Sequence, residues 1–287
     1  MRRPGATSIQ QPPCPNPSST AEGWTRPVRP VCRSCCPVAG KRRGTVARVP
    51  IARVRPALSE IALLALVFAG FIWLHGTAKS DAATATANAL ALQSLERALH
   101  LDIVPGLNRW LVEHPALIQP AVLYYRLYYV VLLGVLVWLF RRHTEVYRTA
   151  RRTLIAMAVL VLPVFWALPM SPPRFATPGV VDIIAEHDLF GDHSARALES
   201  GQNVYSAMPS MHTAWALWCA YAAWLALRTT RPRLAWLPWL FPLGMIAVVF
   251  TTGNHYVLDI VGSVVLLLAS IAVVAALPKL LPKLSRS

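Results

Sequence analysis

Acidic residues are few in this sequence, in which 13 Asp and Glu stand against 28 Lys and Arg and the formal net charge is +15. A balance this basic is typical of proteins that bind nucleic acid. However, 55 % of the residues are apolar, and the charges lie between long apolar runs instead of covering a soluble surface. We therefore expect an integral membrane protein whose partner is the membrane and not nucleic acid.

Cysteine is also scarce, and four of the five cysteines lie within the first 36 residues, so no disulfide framework is predicted. The grouping of Cys32, Cys35 and Cys36, with Cys14 upstream, suggests zinc by its spacing, but free thiols on an unstructured tail are the simpler interpretation. The sequence has no internal repeat of fixed period and no H-E-x-x-H motif, which argues against a repeat architecture and a zinc protease of that type.

Residues 1–55 are rich in Pro, Arg, Ser and Gly and poor in apolar residues. Because such a segment buries too little surface to offset its ordering entropy, we expect a disordered basic tail on the cytoplasmic side. An over-extended gene start is the alternative interpretation. A second basic tail, at residues 279–287, is expected to be short and cytoplasmic as well.

Six apolar runs between residues 56 and 278 are long enough for helices that cross a bilayer. They predict an all-α, polytopic membrane domain, a bundle of six transmembrane helices. A cleaved signal peptide is the rival interpretation of the first run, but that run is long and no clear cleavage site follows it. The runs are Pro56–His75, Ala116–Phe140, Thr153–Leu168, Met211–Leu227, Leu234–Phe250 and Tyr256–Leu277.

The links between these runs alternate in charge, which predicts their orientation. Arginines crowd the loops at residues 141–152 and 228–233, whereas most acidic residues lie in the alternate loops. Cytoplasmic loops carry the excess of Lys and Arg, so both termini are predicted to be cytoplasmic and every candidate residue below extracytoplasmic. We expect the protein in the cell membrane, with an amphipathic helix at Leu90–Leu101 on its outer surface.

His255 and Asp259 are four residues apart at the start of the last run, which places them one turn apart on one helix face. Side chains lean toward the helix N-terminus, so Asp259 can reach back to the His255 ring. An ionisable Asp in a membrane helix needs a partner, and an imidazole N–H is suitable. The pair is typical of a carboxylate that orients a histidine nucleophile, and a purely structural pair is the alternative.

Ser210 and His212 open the fourth run, in the sequence Pro-Ser-Met-His. Ser210 is a suitable helix cap, and a helix N-terminus favours a bound phosphate. One turn inside, His212 is placed to give a proton to a leaving alkoxide. Ordinary capping is the alternative interpretation of such a Ser-x-His.

Two arginines are candidate phosphate ligands. Arg174 follows the third run in Pro-Pro-Arg-Phe, where prolines end the helix and hold the guanidinium near the outer face. Arg126 lies among four tyrosines inside the second run, where a charge is a functional candidate by default. We predict that Arg126 faces the bundle interior near His212 and His255. A snorkelling arginine at the interface is the alternative for both.

Together these segments resemble the type-2 phosphatidic acid phosphatase superfamily, which has six spanning helices and the motifs K-x6-R-P, P-S-G-H and S-R-x5-H-x3-D. Here the second motif appears as Pro209–His212, the third keeps His255 and Asp259, and the first is reduced to Arg174. The reduced pattern resembles the inositolphosphotransferase branch, which includes inositol phosphorylceramide synthase. The positions that depart from the motifs are Ala167, Phe175, Met211, Val248 and Val249.

The resemblance implies a phosphoryl-transfer enzyme without metal or other cofactor, acting on a lipid phosphate or phospholipid. It implies that His255 attacks phosphorus and forms a phosphohistidine, that Asp259 orients the His255 ring, and that His212 protonates the leaving oxygen. Phosphoryl oxygens would be held by Arg174, Ser210 and the helix N-terminus. Because Val249 replaces the third-motif arginine, we predict Arg126 as a substitute phosphate ligand.

Alternatives to this interpretation stay open. The acceptor is either an alcohol, which makes the protein a transferase, or water, which makes it a lipid-phosphate phosphatase. A zinc enzyme with His212, His255 and Asp259 as ligands is a rival. A non-catalytic lipid-binding member of the same scaffold is another, which the missing Lys and Arg of the motifs favour.

Overall fold

A computed structural model describes residues 51–78, 81–187 and 203–284 of the chain. The cysteine-rich part of the predicted N-terminal tail, the acidic loop at 188–202 and the last three residues lie outside this description. The described helices are α1 (Ile51–Thr77), α2 (Ala82–Ala98), α3 (Val104–Val112), α4 (Pro115–Arg142), α5 (Thr144–Ala167), α6 (Pro173–Ala176), α7 (Ile183–Glu186), α8 (Met211–Leu227), the 3₁₀ helix η1 (Leu234–Trp239), α9 (Leu240–Thr251) and α10 (Val257–Leu284).

Five helical segments are long and apolar enough to cross a membrane. Large apolar side chains cover their outer surfaces: Leu66 is 72 % exposed and Trp73 71 %, as expected where lipid and not water is the solvent. The predicted all-α, multi-pass membrane fold is therefore confirmed. The five segments are Ala57–Thr77, Pro115–Arg142, Thr144–Ala167, Leu234–Thr251 and Val257–Leu277.

Helix α8 corresponds to the fourth predicted run and forms the centre of the bundle. It has 17 residues, fewer than any of the five segments above, and most of its side chains are buried against α4, α5, α9 and α10. Trp218 is fully buried, and its Nε1–H donates to the carbonyl of Ala150 on α5 at 2.9 Å. Because α8 touches so many neighbours, its N-terminus is held firmly in the bundle.

The arginine-rich link between the second and third predicted spans is helical, so the prediction of a loop there is wrong. Helix α4 ends at Arg142 and α5 begins at Thr144, not at Thr153. Arg and Glu are good helix formers, and Glu145 pairs with Arg148 one turn later at 3.1 Å. The third span is therefore longer than its apolar run.

Other helix boundaries also differ from those predicted. Helix α1 begins at Ile51, inside the segment 1–55 that we expected to be tail. The predicted amphipathic helix is α2, which begins after the cap Asp81. The predicted single span Leu234–Phe250 is divided into η1 and α9, because Pro238 lacks a backbone N–H and interrupts the α-helical hydrogen bonds.

Gly253 fixes the turn that leads from α9 into α10. Its φ of +70° lies in the left-handed region, and a Cβ there would meet Val180 Cγ1 at 2.6 Å. The backbone N–H of Arg174 donates to the Gly253 carbonyl at 3.0 Å. The turn before His255 is therefore attached directly to the segment that carries Arg174.

The helices give the bundle two chemically different ends. One end, which we call the site end, contains a cavity lined by side chains from α4, α6, α8 and the α9–α10 turn. The opposite end, which we call the basic end, is defined by Arg141, Arg142, Arg148, Arg151, Arg152, Arg228, Arg231 and Arg233.

Candidate active site

A cavity of about 270 Å³ at the site end brings together four of the six predicted site residues. They are Arg126, Arg174, His212 and His255. A fifth, Asp259, lies behind His255 and contacts it. The cavity is thus lined by two guanidinium groups and by the imidazole rings of these two histidines and of His75, which is a suitable environment for a phosphoryl group.

The His255 ring is held with one nitrogen engaged. Its Nδ1 lies 2.9 Å from the carbonyl oxygen of Ala207 and 3.3 Å from Asp259 Oδ2. A carbonyl oxygen can only accept, so Nδ1 carries the proton and donates to both oxygens. In the neutral ring the lone pair is then on Nε2, which is the state a histidine nucleophile requires.

Asp259 makes two hydrogen bonds at the start of α10. Its Oδ2 accepts the backbone N–H of Tyr256 at 2.9 Å as well as the His255 Nδ1–H. A carboxylate in the first turn that reaches back to the N-cap residue stabilises the helix start. Because Asp259 is fully buried and shares Oδ2 between the helix end and the ring, the orientation of His255 is coupled to the helix itself.

His212 lies across the cavity from His255, with ring centroids 6.0 Å apart. Tyr125 stacks on its ring at 4.3 Å, and Tyr128 contacts it edge-on at 4.8 Å. The two tyrosines come from α4, whereas His212 is the second residue of α8. Both rings line the same cavity, so both histidines can reach one group that is bound there.

Arg174 is held by three groups around its guanidinium. Its Nη1 donates to Asn254 Oδ1, its Nε pairs with Asp182 Oδ2 at 3.0 Å, and its Cζ lies 4.6 Å from the Phe175 ring centroid. Phe175, which replaces the proline of the first motif, thus packs as a cation–π partner. These contacts leave Arg174 lining the cavity in a fixed orientation.

Arg126 lines the same cavity as both histidines and is partly buried. Arg126 belongs to α4 and is more than 100 residues away from His255 in sequence. The structure therefore places Arg126 toward the bundle interior and not toward lipid. Its role as a phosphate ligand stays a prediction.

Ser210 does not line the cavity. It is fully buried as the N-cap of α8, where its Oγ accepts the Thr213 N–H at 3.3 Å. Its backbone carbonyl accepts the Ser263 hydroxyl at 2.8 Å and its N–H donates to the Asp259 carbonyl at 3.3 Å. The contacts of Ser210 thus connect the start of α8 to α10, and its role as a phosphate ligand stays a prediction.

Glu96 is a site-end residue that the sequence analysis did not single out. This side chain on α2 is fully buried, and its Oε1 accepts the backbone N–H of Leu258 at 2.7 Å. Burial raises the pKa of Glu96 to about 7, while the bond to Leu258 lowers it and the charges of Asp259 and Asp102 raise it. Glu96 therefore caps α10 from another helix, next to Asp259, and only the tertiary structure reveals this contact.

His75 and Ser206 form a second polar pair in the cavity lining. The Nε2 atom of His75, near the end of α1, lies 3.0 Å from Ser206 Oγ. The His75 ring stacks on Phe71 at 5.8 Å and contacts Phe165 edge-on at 5.1 Å. No spacing signal in the sequence connects two residues 131 positions apart, so this pair was not predicted.

The zinc alternative concerned His212, His255 and Asp259. Within the described ranges, no group of three or more His, Cys, Asp or Glu side chains is arranged to hold a metal ion. The cysteines near the N-terminus lie outside the described residues.

A sequence model of the PAP2 superfamily matches residues 90–273, a segment that contains all six predicted site residues. Comparisons with curated proteins and with solved structures found no match. His75 lies outside the matched segment.

Proposed function

Because this chain belongs to the PAP2 superfamily, we propose that it is a membrane-embedded enzyme that transfers a phosphoryl group from a lipid phosphate or phospholipid. The main support for the proposal is the set of hydrogen bonds that the His255 ring makes. Its Nδ1 proton is directed to Ala207 and Asp259, which leaves the Nε2 lone pair for attack on phosphorus. Two arginines and a second histidine line the same cavity.

The reaction proceeds in two balanced steps. His255 Nε2 attacks phosphorus while the bond from phosphorus to the leaving oxygen breaks, and protonated His212 gives its proton to that oxygen. The acceptor hydroxyl then attacks the phosphohistidine, its proton goes to His212, and the P–N bond breaks. Arg126 and Arg174 stabilise the charge on the phosphoryl oxygens in both steps.

The reduced motifs support the inositolphosphotransferase-like branch of the superfamily, in which the acceptor is a lipid alcohol. Water as the acceptor gives a lipid-phosphate phosphatase with the same residues in the same roles. The absence of the first-motif Lys and third-motif Arg is the observation that favours a non-catalytic, lipid-binding member. The presence of Arg126 in the cavity supports the enzyme, because it supplies a second cation there.

The proposed site faces the outside of the cell membrane, with the basic end and both termini in the cytoplasm. Cysteines introduced singly at Glu113 and at Arg148, in a variant without the five native cysteines, test this orientation. An impermeant maleimide added to intact cells should label the cysteine at position 113 and not the one at 148. The reverse pattern would contradict the outward-facing site.

Product analysis tests the function itself. The purified protein in lipid nanodiscs is offered lipid phosphates and phospholipids, with and without a lipid alcohol, and products are identified by mass spectrometry. A phosphorylated alcohol appearing on the added lipid supports the transferase, and release of a water-soluble phosphate supports the hydrolase. Binding of these lipids without any turnover would support the non-catalytic alternative.

A further inference from the structure

We propose that Tyr125 is a positioning residue for the general acid of the reaction: its ring, braced by Tyr128, holds the His212 imidazole in one orientation inside the cavity. The inference rests on the proposed function and deepens it, because it identifies what keeps His212 in place while its proton is transferred. Both tyrosines lie on α4, and neither belongs to the superfamily motifs that this sequence retains.

The two histidines of the site are held by different kinds of contact. The His255 ring is held by hydrogen bonds at Nδ1. The His212 ring lies against two phenol rings: Tyr125 stacks on it with centroids 4.3 Å apart and planes 29° apart, and Tyr128 contacts it at 4.8 Å and 82°. Stacking engages the face of an imidazole ring, whereas its nitrogens form hydrogen bonds in the ring plane. The aromatic contacts therefore orient His212 without occupying the nitrogen that gives up the proton.

Helical spacing brings these rings together. Tyr125 and Tyr128 are three residues apart on α4, and His212 and Trp215 are three apart on α8, so each pair lies on one helix face. Tyr128 also lies nearly parallel to Trp215, with centroids 5.3 Å apart and planes 19° apart. The rings of the two helices thus interlock, and both tyrosines are buried. In such close packing one ring does not change its angle unless its neighbours move.

The charges in the cavity give the stacked ring a second effect. Arg126 and Arg174 line the cavity together with His212, and positive charges nearby disfavour the protonated imidazole that the first step requires. The face of a phenol ring attracts a cation within about 6 Å of its centroid, and Tyr125 lies inside that distance. Because Tyr125 directly precedes Arg126, a single turn of α4 supplies both the support of the acid and the second cation of the site.

The leaving group of the substrate distinguishes this role from a purely structural one. An alkoxide needs a proton as it leaves, whereas p-nitrophenolate does not, so only the alkyl ester depends on a well-placed His212. Rates of adduct formation are therefore measured by quenched flow with octyl phosphate and with p-nitrophenyl phosphate, for wild type and Tyr125→Leu in lipid nanodiscs. Each variant is compared with wild type on the same substrate, so differences in binding between the two esters cancel.

Three further variants complete the experiment. Tyr125→Phe keeps the ring without its hydroxyl group. Tyr125→Met, whose flexible side chain refills the space, removes the ring if Tyr125→Leu does not fold. Tyr124→Leu is the matched control, since Tyr124 is the preceding residue on α4, lies against Phe241 at 5.7 Å and does not line the cavity.

We expect Tyr125→Leu to slow adduct formation from octyl phosphate by roughly 10- to 100-fold, in line with the loss of an oriented proton donor. Adduct formation from p-nitrophenyl phosphate should stay within about twofold of wild type. Tyr125→Phe and Tyr124→Leu should keep the wild-type ratio of the two rates. The inference is overturned if Tyr125→Leu slows both substrates equally or slows neither, or if Tyr125→Phe behaves like Tyr125→Leu.

A spectroscopic measurement separates this inference from the proposed function. An aromatic ring shifts the NMR signals of protons above its face upfield, so the His212 ring protons report the Tyr125 contact without any turnover. With isotope-labelled histidine, and with His212→Gln for assignment, the upfield shift should appear in wild type and Tyr125→Phe and be lost in Tyr125→Leu. If it does so but neither ester gives an adduct in wild type, the placement of His212 is supported and the proposed function fails. If adducts form but the His212 signals of wild type are unshifted, the inference fails and the proposed function stands.

Discussion

The two ends of the bundle both hold arginines beside apolar helices, but their surroundings differ. At the basic end, Arg151 pairs with Glu60, whose carboxylate also accepts the Tyr147 hydroxyl at 3.0 Å. This contact joins α1 to α5. At the site end, Arg126 and Arg174 line a cavity together with both histidines. The same residue type therefore connects helices at one end and faces a space for a ligand at the other.

The comparison shows that charge inside a membrane helix does not by itself identify a binding site. An intramembrane arginine is a functional candidate. The sequence placed Arg126 inside a predicted span and Arg151 in a predicted loop, whereas in the structure both lie within long helices. Their neighbours distinguish them. Arg151 contacts the carboxylate of Glu60 on α1, whereas Arg126 lines a cavity that also contains imidazole groups. Substitutions at the two ends should therefore change different properties, activity at one and stability at the other.

The largest expected effect concerns His255. His255→Ala should remove turnover and the acid-labile phosphoryl adduct, because it removes the nucleophile. His143→Ala, in the link between α4 and α5 at the basic end, is the control and should keep both. Radiolabelled substrate and quenched-flow sampling measure the adduct. Full turnover in His255→Ala would refute the assignment of the nucleophile.

Substitution of His212 should affect the two steps of the reaction differently. With a p-nitrophenyl phosphoester, whose leaving group needs no proton, His212→Ala should still form the adduct but discharge it slowly, because the acceptor lacks its base. The adduct should then accumulate above the wild-type level in the same quenched-flow experiment. Absence of the adduct in His212→Ala would argue against this division of roles.

Asp259→Asn should reduce kcat by on the order of a hundredfold or more, by analogy with other carboxylates that orient a catalytic histidine. The amide keeps an oxygen for the Tyr256 N–H but weakens the hold on the His255 ring. Helical content from circular dichroism is the control, and it should match wild type. A variant with wild-type kcat would show that the pair is structural.

Arg126→Leu and Arg151→Leu test the two ends against each other. Loss of a charged hydrogen bond to phosphate predicts a decrease in kcat/KM of roughly 10- to 100-fold for Arg126→Leu, with a smaller decrease for Arg126→Lys. Arg151→Leu leaves Glu60 without its cationic partner and should lower Tm by a few degrees, with the activity of the folded protein retained. If Arg126→Leu lowered only Tm, the proposed contrast would be wrong.

The smallest expected effect is the pH dependence that Glu96 contributes. Its pKa is raised from 4.5 to about 7 in the folded protein, so the folded state holds the proton more tightly than the unfolded state. The free energy of unfolding should therefore fall as the pH rises from 4.5 to 7. Glu96→Gln keeps an acceptor for Leu258 and removes this decrease.

Thermal unfolding at pH 5 and pH 8 measures the effect of Glu96→Gln. The variant should gain a few degrees of Tm relative to wild type at pH 8 and little at pH 5. Glu113→Gln, an exposed change on the same side of the bundle, serves as the control. An equal Tm difference at both pH values would exclude titration of Glu96 as the cause.

The sequence by itself determined the long apolar helices and their order. Long apolar runs have no other stable form in a bilayer, because every backbone polar group must be paired within the segment. The contact between His255 and Asp259 was also predictable, since an i,i+4 spacing on a helix is local geometry. The start of α5 was not predictable from apolar residues alone, because Arg and Glu continue the helix beyond them.

Only the tertiary structure decided which distant groups meet. The cap that Glu96 gives to Leu258, the pair of His75 with Ser206, and the cavity that Arg126 shares with the histidines join residues far apart in the chain. Such contacts depend on how side chains of several helices pack together, which local spacing does not record. For the same reason the sequence could place Ser210 at a helix start but could not show that packing against α10 keeps it out of the cavity.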